Sequence, residues 1–143
     1  MSNSIPEAIL EFINEHHILT LATSLENQPY CATCFYAYDK RLNRFIITSE
    51  LETKHAKDCL DNPIIAGTIA LETKMVGKIR GLQFTGRIQI LENEEFRAAK
   101  RLYLRQFPVA ALASLTLWQV VPYFFKYTDN RLGFGKKIIW EKE

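Results

Sequence analysis

Apolar residues in this chain change their spacing from segment to segment, and the changes mark its elements. Ile9, Leu10 and Ile13 recur at helical spacing among Glu7, Glu11, Asn14 and Glu15, with Pro6 ahead of them. That pattern predicts an opening amphipathic helix over residues 6–16. Residues 18–24 read as a strand, 25–29 as a turn and 30–39 as a long second strand. Strict alternation there puts Tyr30, Ala32, Cys34, Tyr36 and Tyr38 on one face and Cys31, Thr33, Phe35 and Ala37 on the other. Both faces carry apolar side chains, so both are expected to be at least partly covered. Residues 39–43 then reverse the chain into an apolar strand over 44–49, which makes a meander rather than a parallel crossover.

A short helix over 53–60 stops at Asn62-Pro63, because proline cannot continue it. Two β segments follow over 64–72 and 79–91, the second long enough to bend, with Gly81 and Gly86 as natural sites for a bulge or corner. Asn93 is placed to cap a further helix whose buried stripe is Phe96, Ala99, Tyr103 and Phe107. Leu102 and Leu104 flank the stripe, and Arg97, Lys100, Arg101 and Arg105 face outward. Phe107-Pro108 breaks this helix, residues 109–115 form another helical turn, 118–128 return to strand, and a glycine-rich turn at 133–136 leads to a last strand over 137–140. The fold class is therefore mainly β within α+β: six to seven mostly antiparallel strands with flanking helices. Long bent strands suit a small barrel. No internal repeat or low-complexity tract interrupts the order.

With 143 residues, 48% hydrophobic and 24% charged, the chain can bury an ordinary core, so residues 1–143 are expected to form one domain. A net charge of +2 with scattered basic residues argues against a dedicated nucleic-acid binder. The three cysteines, Cys31, Cys34 and Cys59, are an odd number and do not suit a secreted disulfide scaffold. Cys31 and Cys34 sit in an alternating strand, on opposite faces, which favours structural thiols over a redox or zinc pair. The polar start at 1–5 does not read as a signal peptide, and no apolar run approaches the roughly 20 residues of a membrane span. A cytoplasmic protein acting without membrane or nucleic-acid partners is the expectation.

The candidate chemistry lies where the third strand runs into the short helix. Thr48 and Ser49 end the strand, and Thr53 and Lys54 open the helix. Such a junction gathers free backbone N–H groups, hydroxyls and an ammonium around one small volume, which is a plausible seat for a phosphate. Each residue also has a plainer use. Strand-end hydroxyls cap helices, and Lys54 can be a solvated charge, although a cation in a first turn opposes the helix dipole unless an anion is near. His55 is more simply an exposed residue than a proton carrier and receives no role. Trp118, Trp140 and Tyr123-Phe-Phe125 suit core or an interface better than an aromatic wall over a ligand. With no Ser-His-Asp order, metal cluster or paired carboxylates, no catalytic residue and no metal ligand is assigned.

The element order resembles the split β-barrel of the pyridoxamine 5′-phosphate oxidase-like flavoproteins over nearly the whole chain. Its particular marks are Phe45-Ile-Ile-Thr-Ser49, Thr53-Lys54, Asn62-Pro63 and Arg80-Gly-Leu-Gln-Phe-Thr-Gly86. Within that family the ending, Thr128-Asp-Asn and Gly133-Phe-Gly-Lys-Lys137 with Trp140, is most similar to a bacterial branch. The resemblance implies a homodimer with FMN in two equivalent clefts between subunits, and a flavin-dependent oxidoreductase acting on a small organic substrate. It implies a phosphate held by Thr48, Ser49 and Lys54, with Thr53, Arg80 and Lys136 as further cofactor contacts. Three features depart from the best-known oxidases: the second strand carries no basic residue, Thr53 stands where an Arg precedes the helix Lys, and Gly81 stands where the later strand has Gln, although Arg80 beside it matches a family Arg. The alternative reading is a non-catalytic protein that holds flavin or haem in the same cleft.

Overall fold

The computed structural model describes residues 3–133 and 135–143. Helix α1 (Glu7–Glu15) leads into three antiparallel strands, β1 (Ile18–Leu25), β2 (Gln28–Asp39) and β3 (Arg44–Thr48). Then come α2 (Lys54–Asp61), β4 (Ile64–Ala70), β5 (Arg80–Ile90), α3 (Asn93–Gln106), β6 (Leu117–Asp129) and β7 (Lys137–Glu141). The expected mainly β architecture is what forms. One sheet runs in the order β3-β2-β1-β4-β5-β6-β7, and β3 also pairs with β6. That extra pairing closes six strands into a ring and leaves β7 outside it.

The closure has a register reason. On the edge of β6 away from β5, Leu117 to Val120 pair with β3, while Phe124 to Thr128 pair with β7. Between these two stretches β6 bulges: Pro122 faces Gly86 and Phe124 faces Thr85, so Tyr123 is the extra residue. The bend expected at a glycine therefore falls at Gly86, with the inserted residue on the partner strand. A Cβ on Gly86 would stand 2.3 Å from the Val121 carbonyl oxygen and 2.8 Å from the Pro122 Cα, so only glycine lets the strands meet there.

Leu19, Leu21, Tyr36, Phe45, Phe84, Phe125 and Trp118 fill the barrel. Ile9, Phe12 and Ile13 of α1 plug one end, where the Tyr36 hydroxyl donates to the Ile13 carbonyl at 2.6 Å. Helix α3 lies outside, its Ala99 and Tyr103 packed on Ala37, Ile46, Leu91 and Leu117. Consequently β2 is covered on both faces only in its second half, and the expectation for the first half needs correcting. Cys31, Thr33 and Phe35 are exposed on the outer face, where the C-terminal end of α3 contributes only the Phe107 ring, 5.6 Å from that of Phe35. A second correction concerns Asn93, which does not cap α3. Glu92 occupies the cap position with no side-chain hydrogen bond, and Asn93 is the first helical residue with φ 56°. A short polar side chain tolerates that left-handed backbone. Of the glycine-rich turn at 133–136, Phe134 lies outside the described residues. No helix among the described residues is long and apolar enough to cross a membrane.

Replacing Gly86 by Ala should cost about 2 kcal/mol, because backbone rather than a movable side chain fills the space. Gly77→Ala, with nothing within 4 Å of the new methyl, should change stability little. Urea unfolding of the two variants checks the contrast.

Candidate functional site

The end of β3 is held from β6. The Ser49 N–H donates to the Thr116 carbonyl at 3.2 Å, and the Trp118 indole donates to the Ser49 carbonyl at 2.9 Å. With its backbone satisfied, Ser49 turns its hydroxyl to His55, Oγ to Nε2 2.7 Å. Cys34 faces Ser49, whose side chain partly opposes the burial that pushes the Cys34 thiol above the usual cysteine range. Thr53 caps α2: its Oγ1 accepts the Ala56 N–H at 3.3 Å and donates to the Glu50 carbonyl at 2.8 Å. The remaining N–H groups of the first turn have no intrahelical acceptor.

Thr33, Thr48, Ser49, Thr53 and His55 line one pocket of about 310 Å³, whose far wall is the segment 113–116. Glu50 stands at its rim. The half-buried His55 is held below the usual histidine range, chiefly by desolvation, with the Asp58 charge opposing the shift. The site is therefore a hydroxyl-rich recess beside a helix start, with a neutral imidazole in its wall.

Lys54 goes elsewhere. Its Nζ lies 3.1 Å from both Asp58 carboxylate oxygens and 5.2 Å from the Tyr30 ring centre. Asp58 is buried and also accepts the Thr23 hydroxyl at 3.1 Å. The anion that a first-turn cation needs is thus supplied one turn along the same helix. Arg80 is not among the pocket's residues either: its Nη2 bonds Glu15 at 3.0 Å, its guanidinium lies 5.3 Å from the Phe12 ring centre, and its buried Nε has no partner among the described residues. Lys136 is exposed on the turn before β7 and also stands apart from the pocket. Thr48, Ser49 and Thr53 are brought together; Lys54, Arg80 and Lys136 are not part of that lining. His55 is the residue that sequence reasoning left out, and its one legible signal was helical spacing two positions past the cap.

Beside this recess the outer face of β1, β2, β4 and β5 forms a shallow depression of about 480 Å³. Thr20, Ala22, Cys31, Ala66, Thr68, Gln83 and Phe124 line it, without a charged side chain. Trp118, Phe125 and Trp140 belong to the core, whereas Tyr123 is exposed. No group of three or more His, Cys, Asp or Glu side chains that could hold a metal occurs among the described residues.

A closed six-stranded antiparallel barrel with a polar recess at a strand-to-helix junction defines a split-barrel protein. The profile of the pyridoxamine 5′-phosphate oxidase family matches residues 5–122, and the chain belongs to that family. A UPF0306 protein of Yersinia pestis is 37% identical over 134 residues, covering 94% of this chain and 91% of that one. Among solved structures, a haem-binding protein from Mycobacterium smegmatis superposes with TM-score 0.77 at 16% identity, covering 96% of this chain. This chain spans 59% of that protein's length. A FAD-binding protein from Mesorhizobium loti gives TM-score 0.69 at 14% identity, over 85% of this chain and 90% of its own.

Thr53→Ala should lower the unfolding free energy by about 1 kcal/mol through loss of the cap, and Thr53→Ser should retain most of it; chemical denaturation measures both. His55 adds a pH term. Its folded-state pKa is depressed below 6.5, so its contribution to stability is complete above that pH and is lost as acid protonates the unfolded chain first. His55→Gln should flatten the fall in melting temperature just below pH 6.5.

Proposed function

We propose that the chain is a flavoprotein that holds FMN by its phosphate at the β3–α2 junction. The observation that carries this reading is the convergence of Thr48, Ser49 and Thr53 on one recess beside the first turn of α2. Hydroxyls and helix-start N–H groups are the donors a phosphate needs. The residues present fit the group in kind, with the three hydroxyls of Thr48, Ser49 and Thr53 within the recess. The isoalloxazine ring, when bound, supplies the electron transfer, which makes the protein an oxidoreductase for a small organic substrate. This chain's own residues bind and orient.

In the same reading two copies complete the cleft. The uncharged depression beside the recess, with Ile18, Phe35 and Ile64 exposed on the same outer face, suits a second copy better than water. Arg80 and Lys136, which stand apart from the recess of their own chain, would serve the partner's cofactor.

Titrating apo-protein with FMN, read by loss of flavin fluorescence, should show saturable binding near one flavin per chain, and light scattering should give a dimer. Ser49→Ala should weaken binding by about tenfold, the effect of one hydrogen bond to a charged group. A Soret band in the freshly purified protein, with no flavin bound, would replace FMN by haem. Bound flavin that NADH and NADPH both fail to reduce would make the protein a carrier rather than an enzyme.

A further inference from the structure

The recess has no committed positive charge of its own. Lys54 is engaged by Asp58 and Tyr30, β2 carries no basic residue, and the wall at 113–116 contributes Ala113, Ser114, Leu115 and Thr116. What the wall does carry is an imidazole. His55 Nε2 meets Ser49 Oγ at 2.7 Å, and that hydroxyl has one proton to give. In the neutral tautomer that carries its proton on Nδ1, Nε2 accepts from the hydroxyl, which then offers an incoming anion only lone pairs. Once the ring is protonated, Nε2–H becomes the donor to Ser49 Oγ, and the Ser49 O–H is released to donate elsewhere.

We infer that the counter-charge for a phosphate in this recess is the imidazolium of His55, and that phosphate binding brings in a proton that turns the Ser49 hydroxyl from the ring to the ligand. This rests on the phosphate-holding role proposed above and adds to it a residue and a linkage. The proton comes from solvent and ends on His55; no other bond is made or broken.

The surroundings set the sign. Asp58 on α2 favours the charged ring, and Glu50 on the loop stands at the same pocket. Lys54, next in the chain, spends its charge on Asp58. Cys34 of β2 presents a neutral thiol to Ser49, and Tyr103 of α3 a neutral phenol to Thr48. Desolvation keeps the ring neutral in the empty recess. A dianion at hydrogen-bond range reverses that balance, because an opposite charge so close outweighs a modest desolvation cost. By linkage, a ligand that prefers the protonated protein binds more tightly as pH falls, up to about tenfold per unit.

The test uses full-length apo-protein and FMN, whose phosphate is already dianionic at about pH 7.5. Calorimetry there in two buffers of different ionisation enthalpy counts protons. Wild type should take up a substantial fraction of one proton per FMN, and its Kd should rise at least about fivefold between about pH 6.5 and about pH 8.5. His55→Gln should take up none and show a flat profile, while His16→Gln, a histidine of the α1 end, should behave as wild type. FMN binding by wild type without proton uptake, or uptake that persists in His55→Gln, overturns the inference and leaves the flavin reading standing. Failure to bind FMN at every pH overturns both. Should His55→Gln not fold, the wild-type proton count decides alone.

Discussion

The pairing of β3 with the first residues of β6 is the constraint on which the site hangs. It converts a seven-stranded sheet into a closed ring and brings Thr116 and Trp118 against Ser49. Without it β3 would be an exposed edge, and its last residues would have no partners to hold them. Because Ser49 has both backbone groups satisfied from β6, its side chain is free to act. The bulge at Tyr123 is what lets one strand serve β3 and β7 along the same edge, and Gly86 is what admits the bulge.

The buried charges of this protein serve its structure. Arg44 and Asp39 form a buried pair at 3.0 Å where β2 turns into β3, and Arg44 also reaches Gln119 of β6. Arg80 ties β5 to α1 through Glu15 and Phe12. Lys54 and Asp58 form a half-exposed pair, anchored by the buried carboxylate, of which the exposed member is worth little on its own. The recess is lined mainly by hydroxyls, with the His55 imidazole, the Cys34 thiol and the Glu50 carboxylate beside them and no lysine or arginine among the described residues. Both cysteines near it are unsuited to nucleophilic work at neutral pH: burial raises Cys34, and burial with the neighbouring Asp58 charge pushes Cys59 up to about 12.

Element by element, the alternation and breaker residues located all seven strands and three principal helices to within a residue or two, because period and proline act locally. Asn93 shows the limit of that reading. Asn93 suits a cap by residue type, yet the chain leaving β5 enters the helix one residue earlier with Glu92 extended. The two faces of β2 were equally apolar in pattern, yet only packing decides that α3 shelters Ala37 and leaves Phe35 open. Cys31 and Cys34 fell on opposite faces as their parity required, one exposed and one buried.

The site divided along the same line. Thr48, Ser49 and Thr53 were legible because a strand end and a helix start lie close in the chain, and a short connection must keep them together. The destination of the Lys54 ammonium was not legible, since it depends on a carboxylate that burial and Thr23 of β1 hold in place. Nor was the His55 contact, which needs the helix to rise at one angle from the barrel wall. Local periodicity and turn chemistry suffice to specify strands, helices and the junction between them. Which charges are neutralised, which face stays open and which ring meets Ser49 are settled only when distant strands close the barrel, because those contacts join residues that the chain itself does not bring together.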